Sequence, residues 1–447
     1  MMRRYRPHSI AAVAAVLCTA AMFGAPFIAA AQYTAPPPDT LRLGELQSRA
    51  VQRDPRARQI EILAAQSSLR ERDIDATRLP TLGANARAQY QSQVISIPLQ
   101  LPNGGSLPEP SRDSYDAQIT AQQPIYDPSV GARRGVERAQ LAASQAGVRA
   151  SLFTLRQNVN DAYFAALMSQ MQVADQEAAI TDIQAHRRVA LQRVQQGAAL
   201  PSEPDMLDAE LLKRKQTVGS LDANRAAALA VLANLTGGPI DNTEALAIPD
   251  LAAPVQLARS SMDTLGARPE YAEFARNRDV IAEQQASLGA ADLPRVSAFG
   301  RGGYGRPGLN PLSQNFQGYW LTGVKVDWTP WNWGTTRRDR EALTLQKQIV
   351  ETNEAAFRKS VQRSVTSQLA TLDQLQQTLA DDDAIITLRE RVLRETEFRY
   401  DEGVITSADY IDRETDLLNA RLARSTHLVQ LAQARANFLT SLGLEVH

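Results

Sequence analysis

Two stretches of this chain, 132–196 and 335–399, each run for 65 residues with apolar side chains in a heptad frame. In the first, Leu152, Leu155, Val159, Ala162, Ala166, Ser169, Val173 and Ile180 fall at alternating steps of three and four, with one position skipped. Val361, Val365, Leu372, Leu375, Leu379, Ile386 and Leu393 hold the corresponding places in the second, interrupted by Gln368, Asp382 and Arg389. At the α-helical rise each stretch is about 100 Å long. No compact domain accommodates that length. A coiled-coil tube does, and small residues along the seams let neighbouring helices approach closely.

The two stretches belong to an internal duplication. Leu79-Pro80 and Tyr90 recur 214 residues later as Leu293-Pro294 and Tyr304, whereas Arg193, Gly197 and Pro124 recur 206 residues later as Arg399, Gly403 and Pro330. The offset changes between the two strand candidates of each copy, where a loop can absorb it. Each copy reads helix, strand, loop, strand, very long helix, tight turn, returning helix. The expected boundaries are a leader at 1–31, a first repeat at 32–236 with its hairpin at 132–236, a linker at 237–260 placed in a belt around the middle of the tube, and a second repeat at 261–447 with its hairpin at 335–442. The helices leading into the strands, 56–79 and 270–293, stack end to end on the returning helices, 204–236 and 407–442, to match the long ones.

Strict alternation marks the strands, expected at about 81–91, 115–124, 295–304 and 319–328. In the first, Leu82, Ala84, Ala86, Ala88 and Tyr90 alternate with Gly83, Asn85, Arg87 and Gln89. In the last, Trp320, Val324, Val326 and Trp328 alternate with Leu321, Lys325 and Asp327, one residue out of phase with Pro330, which implies an insertion between Trp328 and Pro330. These lengths suit membrane β-strands, and Trp328, Trp331 and Trp333 form either an interfacial girdle or a local aromatic core. The expected fold is therefore α plus membrane β-barrel. Four strands cannot close a barrel, and an open edge in lipid leaves unsatisfied backbone groups, so several subunits are needed. Gly300-Arg301-Gly302-Gly303-Tyr304-Gly305 superficially resembles a phosphate loop, but it ends a strand and no helix follows.

Composition removes most other functions. Arg3, Arg4 and Arg6 precede an apolar run at 10–21 and the small residues Ala29-Ala30-Ala31, the pattern of an export signal. Its removal takes the formal charge from −1 to −4, too mild a balance for a nucleic-acid partner. Cys18, the single cysteine, lies in that leader, so the mature chain has no thiol. Beyond it no segment approaches the roughly 20 apolar residues of a spanning helix. His186, His427 and His447 stand apart from carboxylates, so no metal and no cofactor is expected, and Asp381-Asp382-Asp383 reads as a solvated helix face. No nucleophile, base and orienting group come together, which argues against an enzyme.

At the hairpin tips, Gly197 and Gly403 permit the turns, and a following serine, Ser202 or Ser407, is placed to cap the returning helix. Asp409 and Asp412 share a helix face after the second turn. Repeated around a subunit ring they would favour cations; equally, acids in a first helical turn are favoured by the macrodipole and need no further role.

Duplicated halves, paired strands, paired long helices and turns reading Arg-x-x-x-Gly followed by Ser and Asp resemble the TolC outer-membrane efflux family over essentially the whole mature chain. The resemblance implies a homotrimer whose twelve strands form one barrel in the outer membrane. Below it a helical tunnel would cross the periplasm to a periplasmic adaptor and an inner-membrane pump, serving tripartite efflux or type I secretion. It further implies an acidic entrance at Asp409 and Asp412, a closing network including Asp205 and Tyr400, and partner docking at the tips. Those tips are Arg193, Gly197, Leu200, Pro201 and Ser202 in the first hairpin and Arg399, Gly403, Thr406 and Ser407 in the second. Ile405 departs from the family pattern, which has an arginine there. Two rivals are a periplasmic adaptor, which would carry a small β-rich insertion and no duplicated membrane strands, and a coiled-coil scaffold, which would lack the alternating strands.

Overall fold

The computed structural model describes residues 40–94, 110–260, 267–311 and 313–446. The export signal, Cys18, most of the first inter-strand loop and His447 lie outside them. The chain runs α1 (Leu43–Arg53), a 3-10 turn (Pro55–Arg58), α2 (Gln59–Ala76), β1 (Thr81–Tyr90), β2 (Asp113–Tyr126), α3 (Ser129–Gln195), α4 (Ser202–Thr236), α5 (Ala252–Ser260), α6 (Pro269–Ala291), β3 (Arg295–Arg306), β4 (Gln317–Asp327), α7 (Thr335–Asp401) and α8 (Ser407–Leu442).

The heptad frames produce the two longest helices, α3 and α7, of 67 residues each. Leu152, Leu155, Val159, Ala162 and Ala166 are buried on α3, and Val361, Val365, Leu372, Leu375 and Leu393 on α7. The three polar interruptions of the α7 seam each find a partner on α8. Gln368 Nε2 donates to Ser441 Oγ at 3.0 Å, Asp382 Oδ2 lies 2.7 Å from His427 Nδ1, and Arg389 Nη1 donates to Asp416 Oδ2 at 2.7 Å. This corrects two expectations. His427 is not isolated, and Asp382 is buried rather than on a solvated face. Only three-dimensional proximity, across a sequence separation of 45, pairs them.

Along α3, the N-terminal half is flanked by α2, through Arg138 to Glu71 and Gln145 to the Ile60 carbonyl, and the C-terminal half by α4. In the second copy α6 meets α7 through Gln285 and Thr344, and α8 covers the remainder. Where the short helices meet, a central core gathers Leu43, Leu46, Tyr163, Phe164, Leu232 and Phe438. The segment 237–260 contributes Leu246, Leu251, Val255 and Ala258 to it, and Leu41 pairs with Leu246 in an isolated parallel bridge. The Tyr163 hydroxyl lies 2.9 Å from the Leu41 carbonyl, and Gln47, Asn160, Asn437 and Thr440 form a hydrogen-bonded knot between α1, α3 and α8. The expected linker is thus a clamp, because its apolar residues have a core to enter. Two short helices in this region, α1 and α5, were not anticipated from the sequence.

The strands form one antiparallel sheet in the order β1-β2-β3-β4, so β2 and β3 join the two copies. Directly paired residues point to the same side of a sheet. Leu82 pairs with Ala121, Ala84 with Ile119, Ile119 with Gly302, Gly302 with Trp320, and Ala298 with Val324. All four apolar rows therefore share one face, and Leu82, Ile119, Trp320 and Val324 are more than 60% exposed. Asn85, Gln118, Thr120, Arg301 and Lys325 belong to the opposite face. The register shift in the sheet lies in the first copy, between Pro124 and Tyr126, where proline supplies no ladder donor, whereas β4 stops at Asp327. Trp328, Trp331 and Trp333 are 59%, 71% and 80% exposed, which removes the packed aromatic core as their explanation. No described helix is long and apolar enough to cross a membrane.

Candidate functional site

Both hairpin turns are built the same way. After α3, Gly197 at φ 71° donates to the Val194 carbonyl at 3.0 Å and Ala198 to the Arg193 carbonyl at 2.8 Å. After α7, Gly403 at φ 73° donates to Tyr400 at 3.0 Å and Val404 to Arg399 at 2.9 Å. These are paired Schellman bonds, and the left-handed residue each needs is the reason for glycine. Leu200 and Val404 stand exposed at the two ends.

The returning helices begin differently from the serine caps expected. Pro201 precedes α4 without a side-chain cap, and Ser202 is its first residue. Thr406, not Ser407, caps α8, in a capping box with Asp409. The Thr406 backbone N–H donates to Asp409 Oδ2 at 3.1 Å, and this bond, with that of the Thr406 side chain, holds the Asp409 carboxyl below the usual carboxylate range. Ser407 is thereby freed to turn inward.

Inward lies a bonded chain linking the two hairpins. The buried Tyr400 hydroxyl donates to Ser407 Oγ at 3.1 Å, and Ser407 Oγ donates to Glu203 Oε2, in the first turn of α4, at 2.9 Å. From α3, Arg193 donates to the Tyr400 carbonyl at 2.6 Å and the Asp401 carbonyl at 2.7 Å, satisfying acceptors at the C-terminus of α7. Its guanidinium lies 4.9 Å from the Tyr400 ring centroid.

Deeper, His186 stacks on Tyr410 with ring centroids 3.9 Å apart. Burial, then the nearby Glu414, Glu397 and Asp182 carboxylates, push the Tyr410 phenol up, so it stays neutral. Arg214 of α4 meets Glu414 of α8 in a two-pronged ion pair, with both side chains almost fully buried. Burial raises the Glu414 carboxyl against the opposing pull of Arg214.

The structure thus brings Arg193, Tyr400 and Ser407 together and leaves other expected residues outside. Asp205 and Asp412 are exposed, and their side chains make no hydrogen bond among the described residues. The carboxylate of this bonded chain is Glu203, two residues before Asp205. Arg399, the repeat equivalent of Arg193, bonds Glu395 on its own helix. Ile405, where the family arginine was expected, packs against the cluster of Leu207, Tyr400 and Tyr410. Sequence reasoning missed Glu203, His186, Arg214 and Glu414. The 206-residue offset carries Arg214 to Ala420 and Glu414 to Asp208, so no repeat marked either one. Among the described residues no cluster of His, Cys, Asp or Glu could hold a metal ion.

A sheet with an apolar exposed face and a polar one, carried on helices about 100 Å long, defines a membrane channel of strands with a helical extension. Residues 47–238 and 261–444 match the model of the outer membrane efflux protein family, and the chain belongs to that family. It is a family of efflux channels rather than of enzymes, so this chain is an outer-membrane channel protein with its helices on the periplasmic side. Its fold is similar to that of CusC, whose crystal structures concern folding and transmembrane channel formation, at TM-score 0.66 and 16% identity over 90% of this chain and 92% of that one. It is also similar to the Vibrio cholerae outer membrane protein VceC, at TM-score 0.63 and 16% identity over 91% and 97%. The open-state MtrE outer membrane channel of Neisseria gonorrhoeae matches at TM-score 0.63 and 19% identity over 91% and 89%. No curated protein sequence matches the chain.

Proposed function

We propose that this chain is the outer-membrane duct of a tripartite efflux or type I secretion system, working as a homotrimer and passing solutes without performing chemistry. The observation that carries this is the sheet: its apolar face is exposed, while β1 and β4 have unpaired outer edges among the described residues. Such edges in lipid cost several kcal/mol per unsatisfied group, so further copies must close them. Three copies give a twelve-stranded barrel whose polar faces line water. The inter-hairpin network of Arg193, Tyr400, Ser407 and Glu203 holds the periplasmic tips together, and a periplasmic adaptor coupled to an inner-membrane pump draws them apart. The tip residues Leu200, Pro201, Ser202 and Val404 are the docking surface.

Asp409, already bonded in its capping box, and Asp412, exposed one turn further on, form an acidic ring at the entrance when repeated in the trimer. The test is single-channel conductance of the purified mature protein in planar bilayers, wild type against Asp409→Asn/Asp412→Asn. Small cation-selective conductance that loses selectivity in the variant supports both duct and entrance. Unchanged selectivity returns both aspartates to helix capping, and failure to insert defeats the channel and favours an adaptor or scaffold.

A further inference from the structure

The polar face of the sheet carries four cations, Arg87, Arg295, Arg301 and Lys325, against two carboxylates, Asp116 and Asp327. Two of those cations stand opposite an acid in the strand register, and a third makes the one ion pair found among the four within the described residues. Arg87 is the cross-strand neighbour of Asp116 and Arg295 that of Asp327, while Lys325 Nζ lies 2.8 Å from Asp327 Oδ1. Arg301 differs. Its direct partners across the sheet are Thr120 and Leu321, so it alone of the four has neither an acid opposite it in the register nor an ion pair among the described residues.

Arg301 also lines a cleft of about 460 Å³ on this face, together with Thr120, Gln122, Ser297 and Lys325. The lining contains two cations and no carboxylate. Gln122 Nε2 reaches Ser297 Oγ at 3.4 Å, so amide and hydroxyl donors sit beside the charges. A guanidinium offers a planar fork to an oxyanion, and Lys325 retains donors beyond the one spent on Asp327. The position matters as well. Arg301 lies six residues along β3, about 20 Å from its helix-proximal end at the β-strand rise, near the middle of the strand.

We propose that this cleft is an oxyanion-binding station on the barrel wall, with Arg301 as its principal ligand and Lys325 as its second, selecting solutes that carry phosphate or carboxylate groups. The inference rests on the proposed duct, in which this face lines the lumen and three copies set three Arg301 side chains at one level. Arg and Lys rings of that kind favour anions, and low-dielectric walls concentrate their field. The station acts opposite in sign to the carboxylates at the tips. An anionic solute is therefore held on the lumen wall after it has passed the entrance.

The test is block of single-channel current by inorganic pyrophosphate added to the outer side at low ionic strength, on the Asp409→Asn/Asp412→Asn background so that entrance charge does not contribute. The parent channel is expected to be blocked, Arg301→Gln/Lys325→Gln to need about tenfold more pyrophosphate, and Arg301→Lys to keep most of the effect. Block that is absent from the parent, or equal in the double glutamine variant, overturns the station while the channel stands. Absence of conductance in every variant overturns the duct itself, and the station with it.

Discussion

Arg193 donates to the carbonyl oxygen of Tyr400 at 2.6 Å, across 207 residues of sequence, and lays its guanidinium over the same residue's ring. One side chain of the first hairpin thus meets both the backbone and the ring of a residue at the end of the second. Its repeat equivalent, Arg399, bonds Glu395 on its own helix instead.

Removing that crossing should loosen the tips. Hydrogen bonds from a charged donor contribute about 1.5–3 kcal/mol each, so Arg193→Ala is expected to raise open-state occupancy by about tenfold or more. Arg193→Lys, which cannot bond two carbonyls while stacking, should fall between it and wild type. Arg399→Ala should change little. Single-channel recording reads all three, and equal effects of Arg193→Ala and Arg399→Ala would show that the crossing does not hold the tips.

The Arg214–Glu414 pair predicts an asymmetry between breaking and replacing. Arg214→Met leaves a buried carboxylate unpaired and should cost about 3–5 kcal/mol, seen as a lower melting temperature. Arg214→Met/Glu414→Leu removes both charges and should recover most of that loss. A double variant no more stable than the single would mean that packing, not the stranded charge, sets the cost.

What the sequence made legible and what it hid divide along physical lines. Alternation and heptad spacing are local, so Ile119, Trp320, Leu155 and Leu372 could be placed on faces before any contact was known. Gly197 and Gly403 were equally readable, since a left-handed turn selects for them. Contacts between non-equivalent residues left no such mark. Asp382 looked like one of three solvated acids until His427 arrived beside it, and Glu203 sat two residues from Asp205, where the resemblance pointed. The segment 237–260 has neither heptads nor alternation, so its role in the central core depended on knowing what Leu246 and Leu251 would meet.

The capping box gives a pH dependence with a definite sign. The Asp409 carboxyl is held below its unfolded value, so its contribution to the start of α8 is complete above the unfolded pKa, about 3.9, and is lost as pH falls through the folded value. Amide exchange at 407–411, normalised to the intrinsic rate at each pH, should therefore be flat from neutral pH down to about 4 and rise only below it. In Asp409→Asn the acid-dependent rise should vanish. A rise beginning near pH 6 would implicate another group.

The two faces of the sheet can be separated by substituting neighbouring positions on β2. Ile119 belongs to the exposed apolar face, and Gln118 to the polar face opposite Asn85 and Gly303. Both lie near the middle of the strand, so depth in the membrane is nearly the same for each. Arginine on the lipid side of a barrel costs about 2–4 kcal/mol near the midplane, whereas arginine in a water-filled lumen is readily solvated. Ile119→Arg should therefore lower folding stability in lipid vesicles by that amount, read by urea titration, while Gln118→Arg should fold normally and alter ion selectivity instead. Equal destabilisation by the two would mean that both faces meet the same surroundings, and the assignment of one to lipid and the other to water would fall.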